Sequence, residues 1–228
     1  MRESIILFGY GKFGHSIYEK LSELNYDVKV KVAVKENYKE ARDRGIDVDM
    51  FNLYSDESII ECGIDEASYV VCAMDDNHEN LFLALSIREL FNDAYIIAVS
   101  NSTYLTNKLK MAGVNRVIDM YHLSGLMIKN ILLKPIASEF LQGFINNSHP
   151  YIFKEYKVTK KSKLVGKKIE FVDFDSFDII FVGMVDLEKG KHFIFYSAGD
   201  EHRIDCEDIL ILVGTEENID KFILANGG

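Results

Sequence analysis

Long apolar runs are missing from this chain. Its most hydrophobic stretches, Ile131-Leu132-Leu133 and Ile209-Leu210-Ile211-Leu212-Val213, fall far short of the roughly 20 residues that a bilayer-spanning helix needs. Arg2 and Glu3 follow Met1 and lead straight into a short strand, which leaves no room for a secretory h-region. A soluble, cytoplasmic chain is expected. Cysteine is scarce as well: Cys62, Cys72 and Cys206 are scattered, odd in number and show no C-x-x-C spacing. Buried or idle thiols in a reducing compartment explain them best. Basic charge is in deficit, with 26 Lys and Arg against 36 Asp and Glu and a formal charge of −10. That balance argues against a nucleic-acid partner. The basic cluster Lys160-Lys161-Ser162-Lys163 with Lys167-Lys168 reads as a solvated loop.

What is present is the composition of a globular protein, 48% hydrophobic and 27% charged over 228 residues, enough for one large domain or two modest ones. The most informative segment is Gly9-Tyr10-Gly11-Lys12-Phe13-Gly14, directly behind the apolar run Ile5-Ile6-Leu7-Phe8. Strand, G-x-G-x-x-G and amphipathic helix is the setting in which this motif carries meaning. Gly9 permits the tight turn, Gly11 lets a phosphate approach the main chain, and Gly14 lets the helix pack close to the strand. The free N–H groups and dipole at the helix start then favour an anion.

Through residues 1–120 short apolar runs alternate with helical patterns, which predicts an α/β domain of the Rossmann-like, doubly wound kind. Strands are expected near 4–8, 28–34, 47–51, 69–73, 95–99 and 116–118, with helices near 12–24, 37–44, 56–62, 76–92 and 102–112. In the first helix Phe13, Ile17, Leu21 and Leu24 form one stripe toward the sheet. Residues 121–148 change to helix without strand, and Pro135 fits the first turn of a second helix rather than the interior of a continuing one. Leu126, Met127, Ile128, Ile131, Leu132 and Leu133 are apolar over more than one face, which implies a partner surface. Asn146-Asn147-Ser148-His149-Pro150 marks a boundary. Residues 149–228 then read as a smaller α+β domain, with strands in 152–158, 179–185, 192–196 and 209–213, turns at Glu188–Lys191 and Gly199-Asp200, and a closing helix from about Glu216.

A dinucleotide site places an acidic side chain about 20 residues past the glycine motif to bind the ribose hydroxyls. That position is Val32 here, with Ala33 and Val34 beside it and Glu36 four residues on. Asn52, Asp75 and Asp76 stand at strand ends that face the same crevice, and Lys12 is the nearest cation. Asp75-Asp76 with Glu79 is an acidic cluster of the kind that can hold a hard cation. Capping of the next helix is the simpler explanation, and no metal is assigned. His15, His78 and His122 lie near helix starts without metal-ligand spacing. No Ser/His/Asp or Cys/His arrangement stands out, so no catalytic residue is assigned.

Several phrases, in order, resemble the RCK family, regulators of K+ conductance, also described as Trk/Ktr-type potassium-uptake regulatory proteins. They are the glycine motif, Cys62-Gly63-Ile64-Asp65-Glu66-Ala67 before Tyr69-Val70-Val71, Asp76-x-x-x-Asn80, Ile96-Ile97-Ala98, and Met111 through Ile118. Ser162-Lys163-Leu164-Val165-Gly166-Lys167 and Asp208 through Gly214 resemble the opening and closing phrases of the family's second module. The resemblance implies a ligand sensor that assembles into a ring against a membrane potassium channel or transporter, at the inner face of the membrane, and biases its gate. It implies that the N-terminal domain can bind a small-molecule ligand, an adenine nucleotide (ATP, ADP or AMP) or NAD(H). It also implies a homo-oligomer, a dimer at least and a tetramer or octamer by analogy, joined through the helix pair. A family feature, a basic residue after Ile-Ile-Ala, is Val99 here. Losing the polar contacts at Val32 and Val99 weakens a dinucleotide, each charged hydrogen bond contributing on the order of 1.5–3 kcal/mol.

Two readings of the crevice stay open: a phosphate-bearing ligand held by unusual contacts, or a relic that only builds the ring. The leading expectation for function is a non-enzymatic regulator. A small NAD(P)-dependent oxidoreductase is the alternative from a different class, and a scaffold without ligand control is a third.

Overall fold

A computed structural model of the chain describes residues 3–24, 26–145, 149–188, 190, 192–196 and 202–227. Asn146-Asn147-Ser148 of the expected boundary and Lys189, Lys191, Gly199 and Asp200 of the expected turns lie outside the described residues. The chain divides into two compact units, Met1–Lys129 and Asn130–Gly228.

The first unit is built on six parallel strands, β1 (Ser4–Phe8), β2 (Asp27–Val32), β3 (Val48–Met50), β4 (Tyr69–Cys72), β5 (Ile96–Ser100) and β6 (Arg116–Asp119). Their order across the sheet is β3-β2-β1-β4-β5-β6. Five helices connect them: α1 (Lys12–Glu23), α2 (Lys35–Asp43), α3 (Asp56–Ile60), α4 (Asn77–Leu90) and α5 (Thr103–Met111). Alternate side chains of β1 part to opposite faces. Ile6 and Phe8 join Val70, Cys72, Ile96 and Ala98 beneath Leu83, Ala84 and Ile87 of α4. Ile5 and Leu7 join Val28, Val30, Val32 and Val71, against Phe13, Ile17 and Leu21 of α1. Burial on both faces is what a parallel sheet requires, and it accounts for the continuous apolar runs of the sequence.

The elements begin and end close to their expected places, with physical reasons for the shifts. The second strand, expected to reach residue 34, stops at Val32, because Val34 takes an extended conformation as N-cap and α2 starts at Lys35, two residues early. Leu24, read as the fourth residue of the α1 stripe, instead caps the helix C-terminus and is largely exposed. Burial explains the cysteines: Cys62 and Cys72 are in the core and Cys206 is half-buried. Loss of hydration pushes the Cys62 thiol up to about 11 and the Cys72 thiol up to about 12.

β6 runs directly into α6 (Met120–Leu133), one residue earlier than expected, and α7 (Pro135–Ile145) begins at the proline. Neither helix buries a residue. Leu132, Ile136 and Ile145 are 75%, 82% and 74% exposed, and Leu126, Met127, Ile131, Phe140 and Leu141 are exposed too. No helix among the described residues is long and apolar enough to cross a membrane.

The second unit carries an antiparallel sheet of β7 (Tyr151–Lys157), β8 (Ile180–Val185), β9 (Phe193–Phe195) and β10 (Ile209–Thr215), in the order β7-β10-β8-β9. α8 (Glu216–Asn226) closes it, with Ile219 and Phe222 packed on Leu210, Leu212 and Met184. Two short 3-10 turns, Ile169–Phe171 and Asp175–Phe177, were not anticipated; three residues are too few to show a period. The lysine-rich loop is tied down rather than merely solvated. Ser162 is buried and its hydroxyl donates to the Asn226 carbonyl at 2.9 Å, while Lys163 Nζ donates to the Ala225 carbonyl at the end of α8.

Burial and the raised thiol ranges predict an order of reaction. In native buffer a disulfide reagent such as DTNB should label Cys206 first, with Cys62 and Cys72 reacting only on unfolding in guanidinium. Rapid labelling of all three in the native protein would contradict the core described here.

Candidate functional site

The parallel order reverses between β1 and β4, and in open α/β sheets the crevice beyond the carboxyl ends of the strands at such a point is where ligands bind. A crevice of about 230 Å³ lies at this switch point. Gly9 and Gly11 come to it from the loop after β1, Val32, Ala33, Val34 and Asn37 from the end of β2 and start of α2, and Met74, Asp75, Asp76 and Glu79 from the loop after β4.

The glycine turn is as tight as the motif demands. Gly9 has φ +101°, a backbone region that side chains other than hydrogen rarely enter, and a Cβ there would stand 2.6 Å from the Ala73 carbonyl oxygen. Its N–H donates to the Lys31 carbonyl at 2.8 Å, stitching the turn to β2. A Cβ on Gly14 would meet the Gly9 carbonyl oxygen at 2.1 Å. The loop after β4 is equally fixed. The buried Asn80 side chain accepts from Met74 N–H at 2.9 Å and donates to the carbonyls of Met74 and Val99 at 3.0 Å. Asp76 is the N-cap of α4, and its carboxylate accepts from the His78 and Glu79 N–H groups at 2.7 and 3.1 Å. These backbone bonds, that from Glu79 foremost, hold the Asp76 carboxyl below its ordinary range.

Asp75 reaches across to α1. Gly11, the N-cap, offers no side-chain cap, and the first turn of α1 holds no acid. The Asp75 carboxylate supplies both, accepting the Lys12 N–H at 3.0 Å. It lies so near Gly11 that a Cβ there would stand 2.0 Å from its oxygen.

The structure thus brings Gly9, Gly11, Asp75 and Asp76 together in the crevice, with Lys12 joining through its main chain. Tyr10 and Phe13 turn their side chains into the core over α1's face of the sheet. Asn52 does not line the crevice; its side chain accepts the Tyr54 N–H and shapes the turn after β3. Val32 does line it, 1% exposed, while Glu36 is exposed and outside it. Val99 is buried along a separate apolar groove with Ile5, Val71 and Ile97. Asn37, one residue past Glu36, was missed from the sequence, although the early start of α2 brings it to the crevice mouth. Among the described residues, no group of three or more His, Cys, Asp or Glu side chains is placed to hold a metal ion.

Fold and crevice together define a Rossmann-like domain of the nucleotide-binding type. Residues 5–120 match the TrkA-N domain family model, and the chain belongs to that family. It is 25% identical over 229 residues to a protein of Methanocaldococcus jannaschii described as probable potassium channel protein 2, covering 96% of this chain and 65% of that protein. Potassium channel protein 1 of the same organism is 24% identical, with 95% of this chain and 64% of that protein covered. The chain therefore spans about two thirds of the length of these curated relatives. Among solved structures, the human SLO3 gating ring has a similar fold, with a TM-score of 0.65 at 12% identity over 96% of this chain and 46% of that one. The GsuK RCK domain gives 0.52 at 21% identity over 98% and 47%. The resemblance read from the sequence is borne out at the level of family.

The three glycines predict different costs for one methyl group. Gly9→Ala and Gly14→Ala drive Cβ into main chain and should lower the melting temperature, each costing at least about 1–3 kcal/mol. Gly11→Ala meets first the Asp75 carboxylate, a side chain that can move, and should cost less than either. Thermal denaturation of the three variants checks the ranking, and an equal loss in all three would refute it.

Proposed function

We propose that this chain is a ligand-sensing regulatory module that assembles into a ring at the inner face of a membrane and biases the gate of a potassium channel or transporter, without chemistry of its own. The observation that carries this reading is the uncovered apolar surface of α6 and α7, which follow directly on a TrkA-N domain. Large apolar side chains left exposed along two consecutive helices mark an interaction site. In this reading residues 1–120 hold the ligand, 121–148 join two copies, and 149–228 form the regulatory second domain. The relatives named as potassium channels and the gating-ring fold supply the class of partner.

The ligand proposed is an adenine nucleotide, with its phosphates at the main chain of Gly9 through Gly14. Val32 gives the ribose hydroxyls no acceptor, and a crevice of about 230 Å³ is below the ~300–1,000 Å³ usual for drug-sized ligands. The missing acceptor at Val32 weakens the hold on the adenosine ribose of any of these nucleotides, and the small volume favours a mononucleotide such as ATP, ADP or AMP over the larger NAD(H). The side chains lining the crevice include three carboxylates and no histidine or thiol, which supports sensing over hydride transfer.

Light scattering should show a dimer or larger species for the wild-type chain, and Leu126→Glu with Ile131→Glu should reduce the mass toward that of one chain. An unchanged mass would defeat the proposed interface. A melting-point screen of ATP, ADP, AMP, NAD and NADH tests sensing, since a ligand that binds only the folded state raises stability. No shift with any of them would favour a crevice that only builds the ring.

A further inference from the structure

We propose that Asp75 is a built-in anion that occupies the phosphate place of the glycine turn and sets which ligands the crevice accepts. The inference rests on the nucleotide reading above and names the residue that tunes it. Three observations converge on it. Lys12 opens α1, and its N–H is one of the free donors to which the motif offers a phosphate, yet it already donates to Asp75 Oδ1 at 3.0 Å. The space left by the missing side chain of Gly11, which lets an anion approach the main chain, is taken by the same carboxylate, whose atoms stand 2.0–2.6 Å from where a Cβ would be. The helix start has no acid or side-chain cap of its own, so the field of its N-terminus is answered by this one group from 63 residues away.

Asp75 is not displaced at random. Asp76 caps α4, Asn77 accepts the Asn101 N–H at 3.1 Å, and Asn80 clamps Met74, so the backbone that carries Asp75 is held on both sides. Its side chain is exposed and is held by the bond from Lys12 N–H. A nucleotide phosphate must therefore turn the carboxylate off Lys12 N–H and then tolerate its charge nearby, together with those of Asp76 and Glu79 at the same crevice. A ligand without phosphate meets neither obstacle. Asp75 thus acts as an internal competitor, holding the crevice in a capped state that an anionic ligand has to open.

Isothermal titration of the full chain with ADP and with adenosine, for wild type, Asp75→Asn and Asp75→Ala, tests this. Asp75→Ala removes both charge and competitor and should tighten ADP by roughly tenfold or more, the scale of one charged hydrogen bond. Asp75→Asn removes the charge but keeps an acceptor oxygen, and should fall between. Adenosine should gain no more than about threefold, well below the change for one charged hydrogen bond. If wild type binds ADP and neither variant binds it more tightly, the competitor role is overturned while the nucleotide reading stands. An equal gain for adenosine and ADP also overturns it, because Asp75 would then only obstruct the crevice. If no chain binds either probe, the nucleotide reading itself fails and takes this inference with it. Should Asp75→Ala unfold for want of a cap on α1, as melting curves would reveal, Asp75→Asn alone decides between these outcomes.

Discussion

The backbone of Gly9 lies against the backbone of Ala73 and Met74 with no room for a single carbon between them. That contact joins the ends of β1 and β4, the two neighbouring strands whose following helices take opposite faces of the sheet. Everything at the site depends on it. It sets how far the loop after β4 stands from α1, hence that Asp75 falls within hydrogen-bond reach of Lys12 N–H rather than beyond it. It also sets the width of the crevice, with β2 held on the other side by the Gly9 N–H to Lys31 carbonyl bond. A residue at position 9 with any side chain would have to pry the two strand ends apart and adopt a strained φ at the same time.

Much of this fold was legible because it is written in local patterns. β1 and the glycine turn are contiguous, the strands of a sheet buried on both faces are continuous apolar runs, and Pro135 announces its own helix start. Features that depend on distance were not. The Asp75 to Lys12 contact spans 63 residues, and no local signal distinguishes Asp75 from Asp76, which caps its own helix as expected. Asn80 was noted as part of a phrase, but its three bonds to Met74 and Val99 emerge only once β4 and β5 are side by side. Asn52 and Asn37 were exchanged for the same reason. Both follow strands that end at the crevice side of the sheet, but β3 is the edge strand, one place farther from the switch point than β2.

Carboxylates fasten three helix starts at the carboxyl edge of the sheet, Asp76 at α4 among them. Asp75 caps α1 from another loop, and Asp119, at the end of β6, accepts the His122 N–H at 2.9 Å and the Thr106 hydroxyl at 3.0 Å where α6 begins. Those bonds, that from His122 first, hold the Asp119 carboxyl below its ordinary range. A carboxylate with a depressed folded-state range contributes stability above its unfolded value, and that contribution is lost as pH falls through the folded one. The start of α6 is therefore fastened by a carboxyl group held below its ordinary range.

Crevice and helix start consequently lie on the same edge of one sheet, the edge where parallel strands deliver their carboxyl ends. β6 enters α6 without an intervening loop, so no loop separates the end of the sheet from the apolar helix. A ligand biases such an arrangement only by binding one state more tightly than the other. Under the proposal made for Asp75, that difference has a chemical form: its carboxylate ties the loop after β4 to α1 through the Lys12 N–H, and a bound phosphate would replace that tie by one through the ligand. In that proposal the two states would differ in which anion holds the Lys12 N–H, a tethered carboxylate or a free phosphate at one helix end.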